Sequence, residues 1–209
     1  MQPETDILGL IDVQPTFMPG GELPVADGHA IVPVINRLLP RFAHAFATQD
    51  WHPQGHFSFA STHPGKAPFD VFDGQTLWPD HGLAGSPNAA IHAAIDQARI
   101  EVVIRKGFRA SLDSYSAFFE NDRATATGLD GWLRQRGFKR IFLTGLATDF
   151  CVGWSAEDAL RLGYDVTIVE DACRGIGIPT TPARTTIDDM KEKLSALGCR
   201  FVTSADLAV

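Results

Sequence analysis

The sequence has few cysteines and no long hydrophobic run, and these two shortages argue against several classes of protein. Its 209 residues include three cysteines, Cys151, Cys173 and Cys199, which are too few and too scattered for a disulfide framework. No apolar run approaches the roughly 20 residues that span a bilayer, and the N-terminus lacks the basic residues of a signal peptide. We therefore expect a cytoplasmic protein that does not associate with membranes.

Positive charge is also in short supply. The chain has 18 lysine and arginine residues against 25 aspartate and glutamate residues, which gives a formal net charge of −7. The basic residues are dispersed, so nucleic acid is not an expected partner. The length and a hydrophobic fraction of 44% suit one domain over residues 1–209. Its long loop region at about 50–87, rich in glycine, proline, histidine and aromatic residues, is expected to be functional.

Apolar segments of strand length alternate with amphipathic segments of helical period along the chain. The predicted strands are residues 6–13, 44–49, 101–105, 140–144, 165–169 and 200–203. The predicted helices are residues 30–42, 88–98, 128–136, 149–162 and 182–197. This alternation is typical of a doubly wound α/β fold, in which a mainly parallel sheet carries helices on both faces.

Three chemically unusual residues fall at the carboxyl ends of predicted strands, where open parallel sheets bind their ligands. Asp12 closes the first strand, Lys106 follows the third, and Cys151 opens the helix after the fourth, with Thr148 or Asp149 placed to cap that helix. Each alone has a structural explanation, as a turn cap, a solvated charge or a buried apolar residue. Their position on one edge of one sheet favours a shared role.

An aspartate, a lysine and a cysteine in contact can form a nucleophilic triad without histidine. Asp12 would accept the proton of Cys151, while Lys106 would stabilise the thiolate. The start of a helix also favours thiolate, and the backbone N–H groups of Ala147 and Cys151 would form an oxyanion hole. The protonated carboxyl group can then pass its proton to a departing amine, so the pattern favours acyl transfer from an amide.

A second cluster follows the second predicted strand. Asp50 and His52 are two residues apart and point the same way in an extended segment. With His81 they offer one carboxylate and two imidazoles, which suit Zn²⁺, Fe²⁺ or Mn²⁺ with open coordination positions. His56 is the best candidate for a fourth ligand, although Ser58 or a water molecule would also serve. The alternative is a set of ordinary loop histidines that form surface hydrogen bonds.

Two aromatic residues stand close in sequence to these groups. Phe17 follows Asp12 within the first loop, and Trp78 precedes His81. Both are therefore candidates for the walls of a site that binds a flat ring. Most aromatic residues in loops only pack against neighbouring apolar groups, and that alternative stays open.

Together these segments resemble the nicotinamidases, also called pyrazinamidases, of the isochorismatase-like cysteine hydrolase superfamily. The resemblance covers nearly the whole chain and implies that superfamily's three-layer α/β/α fold. Its motifs here are residues 11–17 (IDVQPTF), 49–53 (QDWHP), 77–81 (LWPDH), 105–107 (RKG) with 113–118 (DSYSAF), and 145–152 (GLATDFCV).

The resemblance implies a role for each candidate residue. Phe17 and Trp78 would sandwich the pyridine ring of the substrate, and the peptide bond between Leu146 and Ala147 would be cis. The protein would hydrolyse nicotinamide, and also pyrazinamide, through a cysteine thioester, in the salvage of NAD. Zinc is the first choice of metal, with iron and manganese as alternatives, and a homo-oligomer is compatible with the sequence. The triad would be Asp12, Lys106 and Cys151, and the metal ligands would be Asp50, His52 and His81.

One departure from the family pattern keeps alternatives open. After His81 the family commonly has Cys-Val, whereas this chain has the sequence Gly-Leu-Ala-Gly at residues 82–85, which leaves substrate breadth undecided. A metal-free cysteine hydrolase of the superfamily, acting on a carbamoyl, maleamate or ureido substrate, is one alternative. A catalytically silent binding protein is another, although the complete triad argues against it. An isochorismatase that cleaves a vinyl ether is disfavoured, because that chemistry needs no thiol.

Overall fold

A computed structural model describes residues 2–207 of the chain. The strands are β1 (Asp6–Ile11), β2 (Ala45–Asp50), β3 (Val71–Phe72), β4 (Gln75–Thr76), β5 (Val102–Lys106), β6 (Arg140–Leu146), β7 (Asp165–Arg174), β8 (Pro179–Thr181), β9 (Arg184–Thr185) and β10 (Arg200–Val202). The α-helices are α1 (Ile31–Leu38), α2 (Leu129–Gln135), α3 (Cys151–Arg161) and α4 (Thr186–Ala196).

A parallel six-stranded sheet forms the centre of the molecule, with the strand order β10-β7-β6-β1-β2-β5. The remaining strands form two small antiparallel hairpins, β3–β4 and β8–β9. The mainly parallel α/β fold predicted from the sequence is therefore confirmed. The sheet places the carboxyl ends of β1, β2, β5 and β6 along one edge, which is where the candidate site lies.

Two apolar layers enclose the sheet, one on each face. Strand β1 is buried along its whole length, and its side chains alternate between the layers. Leu8 and Leu10 pack in the layer that contains α1, whereas Ile7 and Ile11 pack in the layer that contains residues of α2, α3 and α4. A strand covered on both faces needs apolar residues at nearly every position, which explains the continuous apolar run.

One predicted element is wrong. Residues 88–98 form no α-helix, although their apolar spacing predicted one, and the segment has only short 3-10 turns at its ends. Its backbone groups bond to other parts of the fold instead. The Ala89 carbonyl accepts a hydrogen bond from Gln14 at 2.8 Å, and the His92 N–H donates to the Val13 carbonyl at 2.8 Å. Groups used in this way are not available for a helical ladder.

Other boundaries differ by a few residues. Strand β7 continues to Arg174, five residues beyond the prediction, and hairpin β8–β9 occupies the start of the last predicted helix. Helix α4 begins after Thr185, whose hydroxyl accepts a hydrogen bond from the Asp188 N–H in a capping box. That box fixes the start of α4 more firmly than the apolar period does.

The three cysteines are buried and free of disulfide bonds. Among residues 2–207, no helix combines the length and the apolar character needed to cross a bilayer.

Candidate active site and metal centre

The three residues predicted to form a triad meet at the carboxyl edge of the sheet. Asp12 follows β1, Lys106 is the last residue of β5, and Cys151 is the first residue of α3. The ammonium nitrogen of Lys106 lies 2.7 Å from Asp12 Oδ2 and 3.4 Å from Cys151 Sγ. All three side chains are buried. Folding therefore brings together groups that are up to 139 positions apart in the sequence.

Lys106 reaches Asp12 across an intervening strand. Strand β2 lies between β5 and β1, and Asp50 at its end is paired in register with Lys106. The ammonium group contacts Asp50 Oδ1 as well and donates to the Ser114 carbonyl at 3.0 Å. Burial disfavours its charge, but Asp12 and Asp50 outweigh that effect and hold the pKa of Lys106 well above its ordinary value. The two carboxylates thus favour the charged form of Lys106.

Asp12 is fixed by a reciprocal pair of hydrogen bonds with Thr48. Its backbone N–H donates to Thr48 Oγ1 at 3.0 Å, and its Oδ1 accepts from the same hydroxyl at 2.6 Å. Burial, aided by the negative charge of Asp50 and opposed by Lys106, raises the pKa of Asp12 from 3.8 to about 6. A carboxyl group with a pKa near neutrality can both accept and return a proton.

Burial favours the protonated form of the Cys151 thiol in the resting site. Burial raises its pKa well above the ordinary value despite the neighbouring Lys106, and the charges of Asp12 and Asp50 act in the same direction as burial. The start of the helix was expected to favour the thiolate, but desolvation of the buried sulfur outweighs that effect. A thiol of this kind needs a base beside it before it can attack, and Asp12 is that neighbour.

The prediction that Thr148 or Asp149 caps α3 is wrong. Phe150 occupies the N-cap position, and no side chain bonds to the first turn from there. The Asp149 carboxylate instead accepts hydrogen bonds from the backbone N–H groups of Ile176 at 2.9 Å and Gly177 at 2.8 Å. At the start of α3 the Val152 N–H donates to the Ala147 carbonyl at 3.1 Å.

Two backbone donors stand free beside the thiol. The peptide bond between Leu146 and Ala147 is cis, as expected from the resemblance. Within residues 2–207, the N–H groups of Ala147 and Cys151 donate to no protein acceptor. Gly145 precedes them with φ +112°, and a Cβ there would lie 2.0 Å from the Ile11 carbonyl oxygen, so only glycine fits. The pair has the character of an oxyanion hole.

The three predicted metal ligands converge beside the triad. Asp50 Oδ2 lies 3.7 Å from His52 Nε2 and 3.6 Å from His81 Nε2. The ligand atoms of the three residues all lie within 4.8 Å of one another, and the side chains are buried. Strand β2 positions Asp50, and the His52 N–H donates to the Gly82 carbonyl at 2.9 Å, which brings the His81 segment alongside.

Second-sphere contacts fix the tautomer of both histidines. His52 Nδ1 lies 2.8 Å from the Gly107 carbonyl, and His81 Nδ1 lies 2.7 Å from the Pro79 carbonyl. A carbonyl only accepts, so Nδ1 carries the proton in each ring and Nε2 presents its lone pair to a metal. Gly107 also makes room, because a Cβ there would lie 2.3 Å from His52 Cε1. The donor set fits a divalent ion such as Zn²⁺.

His56 has other partners. Its Nδ1 lies 2.8 Å from Ser58 Oγ and its Nε2 lies 3.3 Å from the Leu112 carbonyl. Its ring centroid is 4.2 Å from that of His52, and with His52 and Asp113 it forms a second group of candidate ligands. That group does not contain the other two predicted ligands. A fourth-ligand role for His56 stays a prediction.

A small pocket with aromatic walls opens between the triad and the metal ligands. The predicted aromatic residues Phe17 and Trp78 both line it. Trp78 is held by a hydrogen bond from its Nε1 to the Tyr115 hydroxyl at 3.0 Å and by edge contact with Phe150. The full lining is Phe17, Leu23, Asp50, Trp78, His81, Asp113, Tyr115, Ala147, Phe150, Cys151 and Ile176.

Five lining residues received no role from the sequence. Asp113 and Tyr115 belong to the motif at residues 113–118, to which the sequence assigns no individual role, and Phe150 immediately precedes Cys151. Sequence proximity was therefore a usable signal for these three. Leu23 and Ile176 come from distant loops and carry no local signal.

Comparison with protein families matches residues 6–205 to the isochorismatase domain. A nicotinamidase from Acinetobacter baylyi is 47% identical over 171 residues, which cover 80% of this chain and 80% of the relative. A nicotinamidase from Escherichia coli is 42% identical over 205 residues, or 94% of each chain.

Solved structures agree with these relatives. A nicotinamidase and pyrazinamidase from Acinetobacter baumanii superposes with a TM-score of 0.94 at 42% identity, covering 100% of both chains. A protein from L. infantum in complex with nicotinate has a TM-score of 0.86 at 37% identity, covering 99% of this chain and 96% of that one. A Pyrococcus horikoshii pyrazinamidase in complex with zinc has a TM-score of 0.77 at 31% identity, covering 95% and 98%.

Proposed function

Since this chain belongs to the isochorismatase domain family, we propose that it hydrolyses nicotinamide to nicotinic acid and ammonia through a thioester on Cys151, and that it also hydrolyses pyrazinamide. One observation carries the proposal. The same small pocket with aromatic walls is lined by Cys151 and by two members of the ligand cluster, Asp50 and His81. Cys151 in turn contacts Lys106 and lies close to Asp12. The aromatic walls of that pocket suit a flat heteroaromatic carboxamide.

The reaction begins with a proton transfer. The Asp12 carboxylate takes the proton of the Cys151 thiol, and the sulfur attacks the carboxamide carbon. A C–S bond forms while the carbonyl π electrons move to oxygen. The resulting oxyanion accepts hydrogen bonds from the N–H groups of Ala147 and Cys151. Lys106 remains charged throughout and stabilises whichever of the two neighbouring groups is anionic.

The second half of the reaction returns every group to its starting state. The amide nitrogen takes the proton from Asp12, the C–N bond breaks, and ammonia leaves a thioester behind. A water molecule then attacks the thioester carbon and gives a proton to Asp12. The C–S bond breaks, nicotinic acid leaves, and Cys151 recovers its proton. Hydrolysis thus consumes one water for each ammonia released.

The remaining groups bind and orient the substrate. Phe17 and Trp78 supply apolar walls for the aromatic ring of the substrate. Because both side chains are buried and held in place, they orient the plane of that ring before the thiol attacks. A divalent ion held by Asp50, His52 and His81, with zinc foremost and iron or manganese as alternatives, would supply a Lewis-acid position for the ring nitrogen or for a water molecule.

Two cysteine variants test the covalent step. We expect Cys151→Ala to lower ammonia release from nicotinamide by about 10⁴-fold or more, because the nucleophile is lost. Cys173→Ala is the matched control, since Cys173 is equally buried but contacts the Leu143 carbonyl rather than the triad. The control should keep wild-type activity, and mass spectrometry should detect an acyl adduct on Cys151 only. Substantial activity in Cys151→Ala would end the thioester proposal.

Metal content separates this proposal from a metal-free hydrolase of the same family. Purified protein should hold about one divalent ion per chain, in Cys151→Ala as well as in wild type. Chelation should abolish ammonia release from nicotinamide and pyrazinamide, and added zinc should restore it. Activity that survives chelation, or a preference for a ureido substrate, would favour the metal-free alternative.

A further inference from the structure

The loop that follows β1, residues 12–17, carries three buried polar side chains, Asp12, Gln14 and Thr16. Asp12 belongs to the triad. Gln14 and Thr16 take no part in the chemistry above, yet both are fully buried, and burial of a polar group is costly unless it is hydrogen-bonded. Their partners identify what this β1 loop holds in place.

The Gln14 side chain forms hydrogen bonds with both backbone polar groups of the proposed metal ligand Asp50. The Asp50 N–H donates to Gln14 Oε1 at 2.8 Å, and Gln14 Nε2 donates back to the Asp50 carbonyl at 3.0 Å. The second N–H of the same amide donates to the Ala89 carbonyl at 2.8 Å. Both donors and the acceptor of the carboxamide are therefore used, which fixes its orientation.

The strand ladder explains why Asp50 needs such a partner. The last registered pair between β1 and β2 is Leu10 with Ala47, and β1 ends at Ile11. Asp50 lies three residues beyond that pair, where its backbone groups would face no strand. The Gln14 carboxamide supplies the N–H and C=O of the missing peptide and so extends the ladder by one unit.

Thr16 acts in the same way on the other ligand segment. Its Oγ1 accepts a hydrogen bond from the Gly82 N–H at 3.0 Å, one residue after His81. The β1 loop thus contacts the backbone at Asp50 and next to His81 while it also carries Asp12. One short loop connects the triad to both sides of the metal centre.

We propose that Gln14 is a positioning residue for the metal centre, with Thr16 in support. Two side-chain torsions separate the Asp50 carboxylate from its backbone, so holding that backbone decides whether Oδ2 faces His52 and His81. The inference rests on the proposed metal site. It assigns an effect on metal affinity to Gln14, a residue that does not line the substrate pocket.

Gln49 provides a matched control. It is buried next to Asp50 in sequence, and its Nε2 donates at 2.8 Å to the same Ala89 carbonyl that Gln14 uses. It forms no hydrogen bond with Asp50. Gln14→Met and Gln49→Met both remove a buried carboxamide with little change in volume. If Gln14 only completed the fold, both variants would lower the free energy of unfolding and leave zinc affinity unchanged.

The experiment measures zinc affinity of the metal-free full-length proteins by competition with a chromogenic chelator. We expect Gln14→Met to weaken zinc binding by about 10-fold to 100-fold, the usual effect of losing a second-sphere contact. Gln49→Met should stay within about twofold of wild type.

The outcomes are distinct. Zinc affinity within twofold of wild type in Gln14→Met, or equal weakening in Gln49→Met, overturns the positioning role. Failure of wild type itself to bind zinc overturns the metal centre instead. Should Gln14→Met not fold, Gln14→Glu keeps the acceptor for the Asp50 N–H and loses the paired donors, and the same twofold threshold decides.

Discussion

Strand β1 carries an aspartate at each end, and the two are used differently. Asp6 begins the strand and pairs with one cation, Arg140, whose Nε donates to Asp6 Oδ1 at 2.6 Å and whose second nitrogen bonds the other oxygen. Asp12 follows the strand and shares one cation, Lys106, with a second carboxylate, Asp50. The first group is balanced in charge, whereas the second carries an excess negative charge.

Solvent access sharpens the contrast. The Arg140 side chain is 24% exposed, so its pair with Asp6 keeps contact with water, while Lys106 and Asp12 are both 0% exposed. Burying a charge that is not fully matched destabilises the folded state, and the raised pKa of Asp12 is a consequence of that unfavourable burial. Perturbed groups of this kind collect at functional sites. The amino edge of the sheet therefore holds a solvent-accessible, charge-balanced pair, and the carboxyl edge holds a buried, perturbed group of the kind found at functional sites.

The largest expected effect comes from neutralising each aspartate in turn. Asp12→Asn should lower kcat for nicotinamide by roughly 10²-fold to 10⁴-fold, the usual contribution of a general acid–base group. Asp6→Asn should leave kcat within twofold and lower the free energy of unfolding by about 1–3 kcal/mol, because charge-assisted hydrogen bonds are lost. Steady-state kinetics and urea unfolding measure the two quantities. A comparable loss of kcat in both variants would erase the distinction between the edges.

A smaller effect should appear in the pH dependence of stability. The pKa of Asp12 is about 6 in the folded protein against an ordinary 3.8, so the folded state holds this proton more tightly. The group favours folding most below pH 4, and that contribution is lost as pH rises through 6. In metal-free protein, the unfolding free energy of Asp12→Asn relative to wild type should therefore rise between pH 4 and 7, by at most about 3 kcal/mol.

Urea unfolding at a series of pH values tests this slope. Asp6→Asn serves as the reference, because it removes a carboxylate from the other end of the same strand. If the difference in unfolding free energy between Asp12→Asn and wild type did not change with pH, the pKa of Asp12 would not be raised by burial.

The smallest expected effect concerns the Thr48 hydroxyl, which donates a hydrogen bond to the Asp12 carboxylate. Thr48→Val removes a hydrogen bond to the ionised carboxylate, so the pKa of Asp12 should rise and the acidic limb of kcat/KM should move upward by on the order of one pH unit. Thr144→Val removes a buried hydroxyl that donates to the Gly9 carbonyl at 3.0 Å. It should cost about 1 kcal/mol of stability with no movement of the limb. A shift of equal size in both profiles would contradict the assignment.

Sequence reasoning predicted the sheet and the main site residues because both follow from short-range patterns. Apolar runs marked the strands of the central sheet, and the rule that parallel strands bind ligands at their carboxyl ends placed Asp12, Lys106 and Cys151 together. The pair Asp50 and His52 was found from its spacing on an extended segment. Each of these inferences needed only a few consecutive residues.

The failures involve groups whose partners are distant in the chain. Segment 88–98 has the apolar spacing of a helix, but its Ala89 carbonyl serves the side chains of Gln14 and Gln49 from two other segments. Asp149 has the position of a helix cap but bonds the loop that contains Ile176. Local propensity cannot anticipate such tertiary partners. For the same reason the sequence gives no sign that Leu23 and Ile176 line the pocket.

Asp50 divides its carboxylate between two neighbours, with one oxygen on the Lys106 ammonium and the other facing the imidazoles of His52 and His81. If the proposed metal ion were lost together with both histidines, the second oxygen would stay buried and charged with no cation on its side, and an uncompensated buried charge is costly. Stepwise loss of the proposed metal centre during evolution is therefore expected to pass through less stable intermediates. Lineages of this fold are expected to keep the three ligands or to replace them as a unit.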